Sequence, residues 1–86
     1  MAKLKYEIKL KTVELGKLAE TVRFYTEYVR LTLIQDVDGH FVIRKRQFNS
    51  RYVPVGKPKS ITYNKLSEAS DRFNKIVHSY ESKGWR

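Results

Sequence analysis

Apolar and charged side chains alternate clearly along this chain, beginning near its N-terminus. In residues 3–11, apolar side chains occupy every second position, and Lys or Glu occupies the positions between them. A period of two places these two sets on opposite faces of a β-strand. The pattern therefore predicts a first strand over residues 3–11, with one face made of Leu4, Tyr6, Ile8 and Leu10.

The segment that follows, residues 12–20, has no single period. Leu15, Leu18 and Ala19 have helical spacing, but Gly16 lies among them. Glycine inside a helix costs about 1 kcal/mol relative to alanine. We therefore interpret this segment as a turn or an irregular connection.

A β-hairpin is the best-supported element of the sequence. Residues 21–35 are rich in β-branched and aromatic side chains, which favour strands, and at least their second half alternates apolar with polar positions. Residues 36–39 have the composition of a tight turn, with Gly39 free to adopt positive φ. Alternation resumes over residues 40–48 and places His40, Val42, Arg44 and Arg46 opposite Phe41 and Ile43.

The C-terminal half predicts a loop, a short strand and a helix. Pro54, Gly56 and Pro58 favour an ordered loop over residues 49–60, and a short strand over residues 61–64 would close the sheet. Ser67 is the expected N-cap of the helix. An apolar stripe at helical spacing follows, and Gly84 is the expected C-cap, with Trp85 packed on Tyr80; the stripe consists of Ala69, Phe73, Ile76, Val77 and Tyr80.

These elements predict an α+β fold. We expect a small antiparallel β-sheet of about four strands, with one C-terminal amphipathic helix packed on one face. A chain of 86 residues is long enough for one modest core, so residues 1–86 are expected to form a single domain.

Charge and composition narrow the class of protein. The chain carries 18 Lys and Arg against 9 Asp and Glu, which gives a net charge of +9. Such a field favours association with polyanions. There is no cysteine, hence no disulfide or thiolate chemistry. Without an apolar signal region or a long apolar run, we expect a soluble cytoplasmic or nucleoid-associated protein without a membrane partner.

The basic residues are concentrated in a span that lacks acidic residues altogether. Between Gly39 and Ser67 there is no Asp or Glu, while Lys, Arg and aromatic residues are frequent. Solvated surfaces usually mix the two signs of charge, so this span indicates that an external polyanion supplies the negative charge. The expected nucleic-acid-binding residues are Arg44, Arg46, Arg51, Tyr52, Lys57 and Lys59.

Alternatives remain open for these residues. Arg44 and Arg46 share a strand face that Arg51, Lys57 and Lys59 could extend, or they are charges that protect a hairpin edge from aggregation. Tyr52 either stacks on a base or sugar, or packs its loop against the sheet.

Catalytic motifs are absent from the sequence. His40 and His78 are the only histidines and form no metal-binding motif. None of the serines lies in a Gly-x-Ser-x-Gly elbow. We therefore expect no enzymatic activity, no cofactor and no metal.

From Val29 onward the chain resembles the WGR domain, a module of DNA-dependent poly(ADP-ribose) polymerases. The similarity lies in the strand VRLTLIQD, the turn at Gly39, the basic strand FVIRKRQF, and Val55-Gly56. It continues through a helix marked by Leu66, Ala69, Phe73, Lys75 and Gly84-Trp85. Phe48-Asn49-Ser50-Arg51 stands where that family has Trp-Gly-Arg. The resemblance implies binding to nucleic acid, in particular to DNA ends or nicks, without catalysis.

Composition, span and resemblance agree on one expected function. The sequence predicts a small, basic, non-enzymatic domain that binds nucleic acid, DNA rather than RNA, mainly through the phosphate backbone. The alternative is a protein-interaction or assembly module that uses a sheet edge or an aromatic surface.

Overall fold

The structure, a computed structural model, describes residues 5–19 and 24–86. These residues form the strands β1 (Ile8–Leu18), β2 (Tyr25–Gln35), β3 (Phe41–Asn49) and β4 (Pro54–Tyr63), followed by the helix α1 (Leu66–Ser82). The strands make one antiparallel sheet in the order β1-β2-β3-β4. The α+β fold expected from the sequence is confirmed.

The main core lies between α1 and one face of the sheet. Alternate residues of the central strands point towards the helix, and Ala69 and Phe73 of α1 pack against them. We call this face the helix side; its buried strand residues are Leu15, Val29, Leu31, Leu33 and Ile43. The other face, which carries Arg30, Arg44, Arg46 and Phe48, we call the open face.

Strand β1 does not lie where the alternation predicts it. It begins at Ile8 and continues to Leu18, through the segment interpreted as a turn. A register shift between Lys9 and Lys11 changes which side chains face the helix, so Val13 and Leu15 contact the core while Ile8 is exposed. Lys3, Leu4 and residues 20–23, for which the sequence also made predictions, lie outside the described residues.

Gly16 has a steric role inside this strand. It pairs with Tyr28 on β2, and the ring of Tyr25 lies over it. A Cβ atom at Gly16 would lie 2.3 Å from Cδ1 of Tyr25. Glycine in a strand often marks such a close approach. The residue that argued against a helix therefore fits a strand because it makes room for an aromatic ring.

The predicted hairpin between β2 and β3 is confirmed. Oδ1 of Asp36 accepts hydrogen bonds from the backbone N–H groups of Asp38, at 3.0 Å, and His40, at 2.9 Å. Gly39 has a φ of 86°, which glycine adopts without strain. The register runs without a shift from Gln35 opposite Phe41 to Glu27 opposite Asn49.

The loop expected over residues 49–60 is mostly strand. Only the turn after Asn49 separates β3 from β4, and Oδ1 of Asn49 accepts hydrogen bonds there from the N–H groups of Arg51 and Val53. Pro54 and Pro58 are compatible with β4 because it is an edge strand with β3 as its neighbour in the sheet. The pairing of β3 with β4 shifts between Lys45 and Gln47, so residues 56–58 in the middle of β4 lie outside the regular register.

The helix begins earlier than its sequence suggested. Its N-cap is Lys65, with no side-chain cap, rather than Ser67. Its C-terminus is as expected: Gly84 has a φ of 91°, and the N–H of Trp85 donates to the carbonyl of Tyr80 at 3.1 Å. Within the described ranges, α1 included, no helix has the length and apolar character required to cross a bilayer.

Residues after the helix attach its end to β1. Gly16 and Arg86 exchange two backbone hydrogen bonds, each of 2.8 Å. Trp85 is buried. Its ring lies edge to face with that of Tyr80, and the two ring centroids are 5.1 Å apart. This contact joins the chain after the helix to β1, while α1 itself packs over β2, β3 and β4.

Candidate nucleic-acid interface

The residues expected to bind nucleic acid do not form one patch. Arg44 and Arg46 lie on the open face, as predicted. Lys59 pairs with Lys45 across β3 and β4, and both line a groove on the helix side. Lys59 therefore does not extend the Arg44 and Arg46 face. Arg51 lies exposed in the turn between β3 and β4, and Lys57 is exposed where β4 is irregular.

Arg44 has a carboxylate partner that the acid-free span concealed. Its guanidinium donates two hydrogen bonds to Glu7, Nη1 to Oε2 at 3.1 Å and Nη2 to Oε1 at 2.7 Å. These hydrogen bonds, together with the positive charge of Arg44, hold the pKa of Glu7 below its ordinary value and raise the pKa of Arg44. The span between Gly39 and Ser67 has no acidic residue of its own, but the fold brings Glu7, the residue before β1, next to Arg44.

Arg30, which the sequence analysis did not single out, is central to the open face. It lies directly opposite Arg46 in the register of β2 and β3. Its Nε is 3.8 Å from Oε2 of Glu14, and its Nη2 donates to the hydroxyl of Tyr52 at 3.0 Å. Like charges directly opposite on neighbouring strands are destabilising by roughly 0.2–1 kcal/mol.

Arg46 is less well compensated than Arg30. Within residues 5–19 and 24–86 it makes no ion pair. It is also only partly buried. An anion placed between Arg30 and Arg46 would relieve their repulsion and would bind to two guanidinium groups at once.

A row of aromatic rings lies beside these arginines. Tyr25, Tyr28, Tyr52 and Phe48 follow one another, with centroid distances of 5.5, 5.2 and 4.6 Å. The planes of Phe48 and Tyr52 are within 12° of parallel, and the guanidinium carbon of Arg30 lies 4.9 Å from the centroid of Phe48. The row gives the open face an aromatic area next to its positive charge.

Tyr52 packs the turn against the sheet, which was one of its two interpretations. The stack on Phe48 and the hydrogen bond from Arg30 hold its ring, although its backbone has a φ of 63°. A residue other than glycine is strained at positive φ, so these contacts must offset that cost. The side chain stays 42% exposed, which leaves ring area for a further stacking contact.

Cations, aromatic rings and prolines enclose a shallow cavity on the open face. Its volume is about 350 Å³, and its lining includes Arg30, Arg44, Arg46, Phe48, Pro54 and Pro58. Guanidinium groups bind phosphate oxygens with matching geometry, and ring faces accept stacked bases or sugars. The arrangement thus combines the two kinds of contact that a nucleotide strand makes with a protein.

The hairpin turn holds a cluster that resembles a metal site. Ligand atoms of Asp36, Asp38 and His40 lie within 4.8 Å of one another. The same Oδ1 of Asp36, however, accepts the two backbone hydrogen bonds that close the turn. The cluster is accounted for by turn formation, and we assign no cation to it.

The pairing of Arg30 with Arg46 depends on one residue of register. The predicted turn over residues 36–39 puts Gln35 opposite His40 and Arg30 opposite Lys45, whereas in the structure Gln35 lies opposite Phe41 and Arg30 opposite Arg46. The Glu7 contact has no comparable signal, because it depends on where β1 begins.

The chemistry of the open face is the basis for assigning it a class of ligand. It offers partly compensated guanidinium groups beside exposed aromatic rings, on a face that α1 does not cover. Comparisons with protein-family models, with curated proteins and with solved structures found no match to this chain, so the geometry of these residues carries the functional argument.

Proposed function

We propose that this chain is a small, basic, non-enzymatic domain that binds nucleic acid through the open face of its sheet. The observation that supports the proposal most directly is the pairing of Arg30 with Arg46 beside the stacked rings of Phe48 and Tyr52. A phosphate between the two arginines relieves their mutual repulsion, and a neighbouring base or sugar covers the exposed ring of Tyr52.

Each residue of the open face has a distinct role in this proposal. Arg30 and Arg46 hold phosphate oxygens, and Arg44 joins them when phosphate competes with Glu7 for its guanidinium. Tyr52 stacks on a base or sugar, a contact typically worth about 1–3 kcal/mol per base. Arg51 and Lys57 extend the positive charge along the turn and β4. Lys59 is left out of this interface because it lies on the helix side.

The proposal favours nucleic-acid form over base sequence. Phosphate contacts fix position without reading bases. Exposed rings stack most readily on unpaired bases, so we expect single-stranded segments to bind more tightly than plain duplex. DNA is preferred to RNA on the basis of the WGR resemblance, and the expected compartment is the cytoplasm or nucleoid; both remain predictions.

Binding can be tested by fluorescence anisotropy with labelled single-stranded, duplex and nicked DNA at several salt concentrations. The logarithm of the binding constant should fall linearly with the logarithm of the salt concentration. Contacts to about three phosphates of a single strand give a slope of about −2. Absence of binding to every DNA form at low salt would refute the proposal.

The interface can be tested by removing two positive charges from the open face and, in a control variant, two from another part of the molecule. The double variant Arg30→Gln, Arg46→Gln should weaken DNA binding at least about tenfold and make the salt dependence shallower. Lys75→Gln combined with Lys83→Gln removes the same charge from α1 and its C-cap and serves as the control. Equal losses in both variants would mean that net charge, and not the open face, accounts for binding.

The turn residues test the extent of the interface. Arg51→Glu combined with Lys57→Glu should abolish DNA binding without unfolding the domain, since both side chains are exposed. Normal DNA binding by this folded variant would confine the interface to Arg30, Arg44 and Arg46.

Protein interaction is the second candidate function. The observation that favours it is a groove on the helix side, beside the edge strand β4, that combines aliphatic and cationic residues.

A further inference from the structure

The groove lies between α1 and the β3–β4 side of the sheet and has a volume of about 490 Å³. Leu31 and Ile43, which are buried, form its floor, and Ile61 and Ile76 form its walls. Ile61 is 45% exposed, a large apolar surface for a strand residue on the side that carries the core. The helix packs over β2, β3 and β4, yet it leaves nearly half of Ile61 open to solvent.

The rim of the groove is positive and comes from three different elements. Lys45 of β3 and Lys59 of β4 lie directly opposite each other, and Arg72 of α1 lines the same groove. Nζ of Lys45 is 5.9 Å from the centroid of Tyr80. Among the described residues, no Asp or Glu lines the groove, and none of these cations makes an ion pair.

The combination of an aliphatic floor and a distributed positive rim restricts the ligand. A single carboxylate reaches only part of a rim supplied by three elements. Nucleic acid supplies several negative charges, but it has no aliphatic side chains to cover the exposed surface of Ile61 and Ile76. A peptide in which acidic residues accompany aliphatic ones supplies both, and electrostatic complementarity favours its approach.

We propose that this groove binds an acidic peptide segment of a partner protein, with aliphatic side chains on Ile61 and Ile76 and carboxylates on Lys45, Lys59 and Arg72. An extended conformation fits because β4 is an edge strand that borders the groove, and side chains of an extended peptide alternate between two directions. The aliphatic set enters the groove, and the acidic set lies along its rim against Lys45, Lys59 and Arg72.

The groove and the open face lie on opposite sides of β3, although Lys45 lines both cavities. Lys45 and Lys59 point to the helix side, whereas Arg44 and Arg46 point to the open face. The domain can thus hold an acidic peptide and a nucleic acid together. The peptide proposal does not rest on the proposed nucleic-acid function, and either can fail alone.

The test is titration of isotope-labelled protein with a short synthetic peptide in which Glu alternates with Leu, followed by NMR. Amide signals of residues around Ile43, Ile61 and Arg72 should shift, while those of Arg30 and Phe48 should not. A peptide in which Lys replaces Glu, and one in which Ser replaces Leu, should bind at least about tenfold more weakly, because each lacks one half of the complementarity.

Charge-matched variants assign the binding to the groove. Lys59→Gln with Arg72→Gln should weaken peptide binding at least about tenfold, whereas Lys75→Gln with Lys83→Gln should leave it unchanged. Circular dichroism verifies that each variant is folded; if the first pair unfolds, Lys59→Gln alone, on the edge strand, replaces it.

Four results of the peptide titration would overturn the proposal. These are no binding of the Glu–Leu peptide, shifts confined to the open face, equal binding of the Glu–Ser peptide, or displacement of the peptide by single-stranded DNA at the groove. A second copy of the protein in the groove, seen as concentration-dependent shifts without peptide, would also contradict it.

Discussion

Strand β3 contributes cations to both faces of the sheet, but the surroundings of these cations differ. On the open face, Arg46 lies opposite Arg30, and the neighbouring arginines receive carboxylates from Glu7 and Glu14. On the helix side, Lys45 lies opposite Lys59, without a carboxylate partner in the described part of the chain. The apolar side chains beside each pair also differ: they are aromatic on the open face and aliphatic on the helix side.

This difference shows that positive charge alone does not define a ligand. Arginine beside flat rings matches phosphate and bases, because its planar guanidinium donates in pairs and stacks on aromatic faces. Lysine beside aliphatic side chains offers point charges around an apolar floor, which suits carboxylates on an apolar segment. The same net charge of +9 thus supports two separate proposals.

The largest expected effect on stability comes from the core on the helix side. Phe73 lies fully buried on the helix side, so Phe73→Ala should lower the free energy of unfolding by about 3–5 kcal/mol. Phe24 is 53% exposed, and Phe24→Ala should change the free energy of unfolding by less than about 1 kcal/mol. Urea unfolding measures both. Similar losses would show that the helix side does not carry the main core.

A smaller effect is expected from filling the space under the aromatic row. Gly16→Ala places a methyl group against the ring of Tyr25, and such overpacking costs about 1–3 kcal/mol. The displaced ring should weaken DNA binding on the open face and leave peptide binding in the groove intact.

Shortening Tyr25 provides the control for this substitution. In a Tyr25→Ala background, Gly16→Ala should cost much less, because the ring that it meets is gone. An equal cost in both backgrounds, from urea unfolding of the double-mutant cycle, would disprove the steric role of Gly16.

Removing one member of the opposed arginine pair should separate stability from binding. Arg46→Gln should raise the free energy of unfolding by roughly 0.2–1 kcal/mol at low salt, and by less at high salt, while it weakens DNA binding. Arg51→Gln, in the turn, should not stabilise the domain. If Arg46→Gln is destabilising at low salt, the repulsion between Arg30 and Arg46 is already relieved within the molecule.

The smallest effect concerns the ion pair that ties Arg44 to Glu7. Because the pKa of Glu7 is lowered in the folded state, its contribution to stability is present above the ordinary Glu pKa of about 4.3. That contribution is lost as the pH falls through the lowered value. Both side chains are well exposed, so the contribution should be small.

Glu7→Gln tests this pH dependence. It should be less stable than the wild type near neutral pH and equally stable in strong acid, as measured by urea unfolding across this range. Glu81→Gln serves as the control, since Glu81 makes no ion pair in the described ranges. A difference for Glu7→Gln that persists in acid would assign its effect to something other than the ion pair.

The elements that the sequence predicted well are those whose signal is local. The turn at residues 36–39 and the alternation on both sides of it define the hairpin, and the helix stripe with Gly84 defines the end of α1. Each depends on residues close together in the chain, whose conformational preferences add to the same result.

The elements that the sequence misplaced depend on partners far away. The alternation of residues 3–11 is real, but Val13 and Leu15 are the residues that meet β2 and the helix, after a register shift. Pro54 and Pro58 suggested a loop because proline is excluded from central strands. Only the position of β4 at the sheet edge makes them acceptable.

Much the same distinction applies to the candidate site. Arg44 and Arg46 were predicted to share a face, and they do, because strand periodicity decides it. Lys59 was grouped with them as a loop residue, although its pairing with Lys45 turns it to the helix side. Whether either face binds nucleic acid remains a prediction.

The burial of Trp85 makes the two faces separately visible by fluorescence. It is the only tryptophan of the chain and lies at the helix end against Tyr80, whereas Tyr25, Tyr28 and Tyr52 lie together on the open face. Tryptophan can be excited at wavelengths that tyrosine does not absorb. Its emission therefore follows the docking of α1 without a label. A ligand on the opposite face should quench Tyr25, Tyr28 and Tyr52 while the emission of Trp85 stays unchanged.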